Sequence, residues 1–228
     1  MPKLYLIATP IGHLKDLTFR ALDVLKEVDF IICEDKRETV KLLNHYEIKK
    51  PLISYHEHSK IQRVDEIINL LRQGKSAGLV SEAGTPGISD PGNRLIADVL
   101  ASLGEGVKII PIPGPSALAA AASVSGLPCD RFVFLGFLPH KKGRETLFKQ
   151  IAESRETVIF YESPHRVLKT LQSLSQILTE KRKIVVCREL TKMFEEIKRG
   201  NINEIKSYFE NNLDKVRGEF VVLVGGKK

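Results

Sequence analysis

LVSEAGTPGISDPGN, residues 79–93, joins the end of an apolar run, Ala77–Val80, to a polar turn holding Gly84, Pro86, Gly87, Pro91 and Gly92. A helix-like pattern begins at Asn93, so the stretch predicts a strand feeding a stiff loop and then a helix. Glycine lets backbone approach a ligand closely, and proline removes conformational freedom in advance; such a loop holds its shape without side chains filling it. Ordinary βα connections run about 2–6 residues, and this one is longer. In open α/β sheets, ligands sit outside the carboxyl ends of strands, which is where the loop falls.

The pattern repeats on both sides. Strand-like runs at Lys3–Ala8, Asp29–Cys33, Pro51–Tyr55 and Val107–Pro111 alternate with amphipathic helical spacing after Thr18, over Glu38–His45, and at Ile61, Val64, Ile67 and Leu71. Together they predict one βα-alternating domain of about five strands, residues 1–112. Pro113-Gly114-Pro115-Ser116 forbids continuation of either regular element and marks the junction. A small-residue helix, Ala117–Ser125, then opens a second α/β domain, residues 113–228. Its strands are expected at Phe132–Gly136, Thr157–Tyr161, Lys183–Arg188 and Glu219–Val224, with an extra edge strand at Phe194–Arg199. Helices are expected near Gly143–Ala152, Pro164–Leu178 and Asn203–Asn211.

Composition narrows the class. The 228 residues are 43% hydrophobic and 28% charged, as in a globular protein. Cys33, Cys129 and Cys187 are odd in number and widely spaced, which reads as reduced thiols of a cytosolic protein without disulfides or a zinc site. The apolar runs are too short for a signal peptide core or a membrane span. Charge is uneven: residues 1–112 hold 15 Lys+Arg against 15 Asp+Glu, and the rest hold 20 against 13. The whole excess of +7 therefore lies in the second half, where a polyanion such as RNA would dock.

Several familiar motifs fail on inspection. Gly74-Lys75-Ser76 has Asn69 where a P-loop needs glycine. Gly114-Pro115-Ser116-Ala117 has Leu118 where a nucleophile elbow closes with glycine. No G-x-G-x-x-G follows the first strand. In His56-Glu57-His58 the imidazoles of an extended segment flank rather than converge, so a loop contacting substrate or a neighbouring subunit is favoured over a metal.

The pieces LYLIATPIG, CEDKRET, YHEHS, VSEAGTPGISDPG, IPGPSALAAAASVSGL, FVFLGFLP, FYESPHR and CRELTK, in this order, span almost the whole chain. In them the chain resembles bacterial small-subunit ribosomal RNA 2′-O-methyltransferases of the tetrapyrrole methylase superfamily. His13 and Glu82 depart from the Asn and Asp usual at those positions. The resemblance implies two α/β domains with a cleft for folded S-adenosylmethionine, and a homodimer. It implies donor contacts, largely through backbone, at Pro10, Ala83, Gly84, Thr85, Ile88, Ser116, Ala117, Glu162 and Leu190. The implied reaction methylates the ribose 2′-oxygen of a cytidine in the decoding region of 16S rRNA, within the small ribosomal subunit.

For the chemistry, Glu34, Asp35, His56, Glu82 and Lys192 lie at strand ends, with His56 or Glu34 favoured as general base and Lys192 as electrostatic stabiliser. Arg37, Arg166 and Arg188 are candidate RNA phosphate contacts. The turns Lys141–Arg144 and Lys181–Lys183 read as solvated charge. The competing readings are a precorrin or diphthine methylase of the same superfamily, and a non-catalytic RNA-binding assembly factor.

Overall fold

A computed structural model describes residues 1–56 and 59–227. Glu57 and His58 of the His-Glu-His run lie outside the described residues. The chain forms two compact units, Met1–Ser116 and Ala117–Lys228. The division falls after the Pro-Gly-Pro-Ser segment because that segment is tied to the first unit. Gly114 packs so closely on Ala8 that an added Cβ would lie 3.1 Å from the Ala8 methyl, and the Pro115 carbonyl accepts a hydrogen bond from Thr85.

The first unit runs β1 (Lys3–Ile7), α1 (Phe19–Glu27), β2 (Phe30–Cys33), α2 (Lys36–His45), β3 (Leu52–Ser54), α3 (Ile61–Arg72), β4 (Ala77–Leu79), α4 (Gly92–Leu103) and β5 (Lys108–Ile112). The strands form one parallel sheet in the order β3-β2-β4-β1-β5. A parallel sheet covered on both faces needs strands apolar on both sides, and Phe30-Ile31-Ile32-Cys33 is buried at every position. Ile31 and Ile32 go to opposite cores. Ile31 joins Ala21, Val24 and Leu25 of α1 and Leu43 of α2, while Ile32 joins Ile67 and Leu71 of α3 and Leu95 and Val99 of α4. Each isoleucine contributes roughly 1.5–3 kcal/mol by leaving water, so a charge at either position would break the layer. Thr18 starts α1 by accepting from the Ala21 N–H at 3.1 Å, and Asp35 starts α2 by accepting from the Arg37 N–H at 2.7 Å.

The second unit runs α5 (Ala117–Ser125), β6 (Phe132–Phe137), α6 (Arg144–Glu153), β7 (Thr157–Glu162), α7 (Val167–Ser175), β8 (Ile184–Arg188), β9 (Glu196–Gly200), α8 (Ile202–Asn211) and β10 (Phe220–Val224). Its sheet is mixed, in the order β6-β7-β10-β8-β9, with β6 and β7 parallel and the remaining pairs antiparallel. Helices α6, α7 and α8 share a core with alternate residues of the sheet, including Phe160, Val186, Phe220 and Val222. Helix α5 packs against β10 and β7, with Ala121 fully buried. The expected extra strand is present as β9, at the sheet's edge. Among the described residues no helix is long and apolar enough to cross a membrane.

Candidate functional site

In the first sheet β1 and β4 are neighbours, but the helices that follow them, α1 and α4, cover opposite faces. Their connections diverge from that point, and the crevice left between diverging connections is where α/β sheets take ligands. The turn after β1 and the loop after β4 meet there. The Thr9 N–H donates to the Gly84 carbonyl at 2.9 Å and the Gly84 N–H donates back to Thr9 at 3.0 Å. The Ser81 hydroxyl donates to the Gly84 carbonyl at 3.2 Å. The Thr85 hydroxyl donates to the Pro115 carbonyl at 3.1 Å, so the turn after β5 joins the other two. Gly84 has φ +83°, and a Cβ added there would face the Ile11 side chain at 3.4 Å and the Pro115 oxygen at 3.7 Å. Pro10, Thr85 and Ser116 are half-buried around this point, Ala83 is exposed, and Ile88 is 43% exposed.

The far half of the loop is built on Asp90. Both of its carboxylate oxygens accept from the Gly87 N–H, at 2.8 and 2.9 Å, and one also accepts from the Gly92 N–H at 2.8 Å. The Asn93 amide donates to the Gly87 carbonyl at 2.7 Å. A Cβ on Gly87, whose φ is +87°, would stand 2.7 Å from the Asn93 side-chain oxygen. The Ser-Asp-Pro-Gly run is thus a carboxylate-filled nest of backbone N–H groups, and it fixes the loop's second turn before α4 begins.

The remaining candidates of the first unit share this rim. Glu34 follows β2 and His56 lies beyond β3; the Ser54 hydroxyl donates to the Glu34 carbonyl at 3.1 Å, joining the two strand ends. In the sheet order Glu34 follows the strand that adjoins β4, and His56 follows the next strand out. The His56 imidazole is exposed, while its backbone N–H and carbonyl both bond Ser59. Asp35 is held down to about 2 by side-chain and backbone hydrogen bonds from Arg37, which removes it as a base near neutral pH. Arg37 is otherwise open, with its side chain 86% exposed. The His13 imidazole accepts from the Lys15 N–H at 3.2 Å and starts a short 3-10 turn, a local capping role that an Asn could also fill. Glu82 is exposed beside Ala83.

In the second unit Phe220 of β10 pairs with both Glu162 and Arg188, so the ends of β7 and β8 emerge together. The Glu162 carboxylate is buried. It pairs with Arg166 at 2.8 Å and Arg144 at 3.5 Å, and it accepts from the Thr170 hydroxyl at 2.6 Å and the Ser163 N–H at 2.9 Å. Arg166 also donates to the Leu138 carbonyl, and Arg144 to Pro139 and Thr170. Arg188 is turned inward as well, bonding the carbonyls of Arg217 at 3.0 Å and Phe194 at 3.1 Å. The guanidiniums of Arg166 and Arg188, expected to face phosphate, are turned to internal carboxylate and carbonyl partners.

Leu190 is buried in the turn after β8. Its neighbours Glu189 and Thr191 have φ of +52° and +65°. Lys192 closes the turn through Glu189 at 2.9 Å and Glu219 at 3.1 Å. Burial alone would lower the Lys192 ammonium, but the two carboxylates outweigh it and hold the group above its ordinary value. Lys192 is thus a fixed cation and not a base. The sequence carries a signal for the structural work of Asp90, a carboxylate before Pro91 inside the glycine loop, and none for that of Arg144 and Thr170.

The chain matches the model of the Tetrapyrrole (Corrin/Porphyrin) Methylases over residues 3–206. It is 44% identical to the ribosomal RNA small subunit methyltransferase I of Thermotoga maritima, with both chains covered in full. It is 48% identical to the protein of that name from Synechocystis, over 98% of this chain and 78% of the other. Among solved structures, diphthine synthase superposes with a TM-score of 0.76 at 14% identity, covering 99% of this chain and 90% of the other. The methyltransferase CobJ superposes at 0.72 and 19%, covering 99% and 95%. At those identities the two structures speak for the fold alone.

Proposed function

The chain belongs to the tetrapyrrole (corrin/porphyrin) methylase family, and from that premise we propose that it methylates small-subunit ribosomal RNA. The reaction transfers the methyl group of S-adenosylmethionine to the ribose 2′-oxygen of a cytidine in the decoding region of 16S rRNA. The observation that carries this reading is the full-length similarity to relatives named for small-subunit rRNA methylation, joined to three hydrogen-bonded turns at the crevice of the first sheet. The excess positive charge of the second half supports an RNA substrate over a tetrapyrrole.

The turns suit such a donor. Ala83, Gly84, Ser116 and Ala117 carry small side chains, and the cradle beside Gly84 is one that a Cβ would fill. Exposed Ile88 offers an apolar surface beside that backbone. In this reading Pro10, Ala83, Gly84, Thr85, Ile88 and Ser116 of the first unit bind the donor. When bound, the donor supplies a methyl group already activated on a sulfonium.

The chain's own task is alignment and proton handling. Stiff turns that hold reactants in line can account for about 7–11 kcal/mol of the barrier by removing translational and rotational freedom. Glu34, just past the strand that adjoins β4, accepts the proton of the ribose hydroxyl; His56, past the next strand out, is the second choice. Lys192, kept cationic by Glu189 and Glu219, stabilises developing negative charge. Arg37 is the exposed phosphate contact. The protein acts as a homodimer, a reading that rests on the resemblance, and in the cytoplasm, a reading that rests on its three free thiols.

Tritiated methyl transfer from S-adenosylmethionine tests the proposal against intact small subunits, naked rRNA and a tetrapyrrole. Incorporation into subunits, mapped by mass spectrometry to a cytidine ribose, is expected. Incorporation into the tetrapyrrole alone would transfer the protein to the runner-up class.

A further inference from the structure

We propose that a basic cavity on the second unit, between the start of β8 and the end of β9, grips a backbone phosphodiester of the RNA away from the methylated nucleotide. The inference rests on the RNA reading above and adds a site to it. The cavity has a volume of about 510 Å³, and its lining includes Lys181, Arg182, Lys183 and Arg199 with Glu180 and Glu204. Four cations against two carboxylates leave it net +2.

Both carboxylates are engaged at the start of α8 by neutral amides, and their charge is already counted in the net +2. Glu204 accepts from the Asn201 N–H at 2.9 Å, and Glu180 accepts from the Asn203 amide at 3.2 Å. The arginines, by contrast, are held by neutral carbonyls. Arg182 is 6% exposed and donates to Ala152 at 2.9 Å and Ile151 at 3.0 Å, while its Nε has no partner. Arg199 donates to the carbonyls of Val124 and, at 3.2 Å, Ser125. Like Arg188, the two guanidiniums are held by carbonyls, so they lend the cavity fixed positive charge and leave the bonding of an anion to Lys181 and Lys183. Glu153, the carboxylate whose field reaches Arg182, is paired with Lys227. Lys181 and Lys183 are exposed on the same turn and make no ion pair among the described residues. Fixed guanidinium charge with two exposed lysines lining the same cavity suits an anion such as a phosphodiester, which lysine grips as a point charge.

Strand register separates this cavity from the reacting end of the unit. Ile184 and Arg188 lie at opposite ends of β8, and four steps of about 3.3 Å put roughly 13 Å between them. A phosphate in the cavity therefore belongs to a nucleotide other than the one presented near Lys192, and its grip adds to affinity without touching the chemical step.

The double variant Lys181→Gln/Lys183→Gln changes exposed side chains and leaves the buried arginines in place. Filter binding of small subunits over 50–200 mM salt and steady-state transfer are measured on it and on the parent chain. The expected result is a KM raised about tenfold, kcat and S-adenosylmethionine affinity unchanged, and a log affinity against log salt slope shallower by about 1–2. An unchanged slope with normal transfer overturns the cavity and leaves the activity standing. Salt-dependent binding lost in the variant, with no transfer by either protein, refutes the activity and keeps the cavity; no binding by the parent chain overturns both. Calorimetry with inorganic phosphate supplies the remaining arm. Phosphate binding that disappears in the variant while RNA affinity holds would assign the cavity to a free anion and overturn the RNA assignment.

Discussion

The Thr85 hydroxyl and the Pro115 carbonyl lie 3.1 Å apart, and that hydrogen bond joins the loop after β4 to the turn after β5. With the paired Thr9 and Gly84 backbones beside it, three strand ends are clamped into one wall. Thr85→Val keeps the side chain's shape and removes the donor. It is expected to cost about 0.5–1.5 kcal/mol of stability by urea unfolding and to weaken S-adenosylmethionine several-fold by calorimetry. Unchanged donor affinity would separate the clamp from the site.

Breaking the buried pair at the end of β7 has a larger expected effect. Glu162→Ala strands Arg144 and Arg166 together, with side chains 10% and 16% exposed and no carboxylate between them. Uncompensated buried charge of this kind costs about 3–5 kcal/mol. Urea unfolding reads it directly, and a loss below about 1 kcal/mol would show that the two guanidiniums find other partners.

Acid should weaken the packing of β9 on α8. Burial pushes the Glu196 carboxyl up, but hydrogen bonds from the Tyr208 hydroxyl and the Lys215 ammonium outweigh it and hold the group below its ordinary value of 4.5. A carboxyl depressed on folding contributes stability that is fully present above its unfolded value and is lost as pH falls through its folded value. Glu196→Gln should therefore be less stable than the parent chain at pH 6, with the gap closing as pH falls below 4.5 and through the folded value. A gap that widens on acidification would reverse the assignment.

The rim separates the two candidate bases by one strand spacing. Glu34→Gln should lower kcat by about 10²–10⁴-fold with donor affinity intact, and His56→Ala by less than tenfold. The opposite ranking in single-turnover assays would move the proton to His56.

Much of this architecture is legible in the chain. Phe30-Ile31-Ile32-Cys33 is apolar at every position, so it reads as a strand buried on both faces, and it is one. Ala117–Ser125 reads as a helix from Ser116 onward and has those bounds. Arginine is where reading fails. Arg144 and Arg182 stand in lysine-rich turns that read as solvated charge, yet both are buried, 9% and 6% exposed. Their partners explain the miss: the carbonyls of Pro139, Ile151 and Ala152 are backbone atoms, which carry no sequence signal. Arg188 is hidden for the same reason, through Phe194 and Arg217, whereas Arg166 turns inward to the Glu162 carboxylate as well as to the Leu138 carbonyl. The glycine loop is legible because its constraint is conformational; φ of +83° at Gly84 and +87° at Gly87 demands the residue that stands there.

Gly84 gives the most direct test of the donor site. Calorimetry with S-adenosylmethionine on the parent chain and on Gly84→Val, with thermal melts of both, asks whether the cradle beside Ile11 and Pro115 holds the donor. One donor per parent chain, and affinity reduced at least ~100-fold in a variant that still melts cooperatively, is the expected result, since a side chain there both occupies the cradle and strains the turn. Equal affinity in the two proteins would contradict it and place the donor elsewhere.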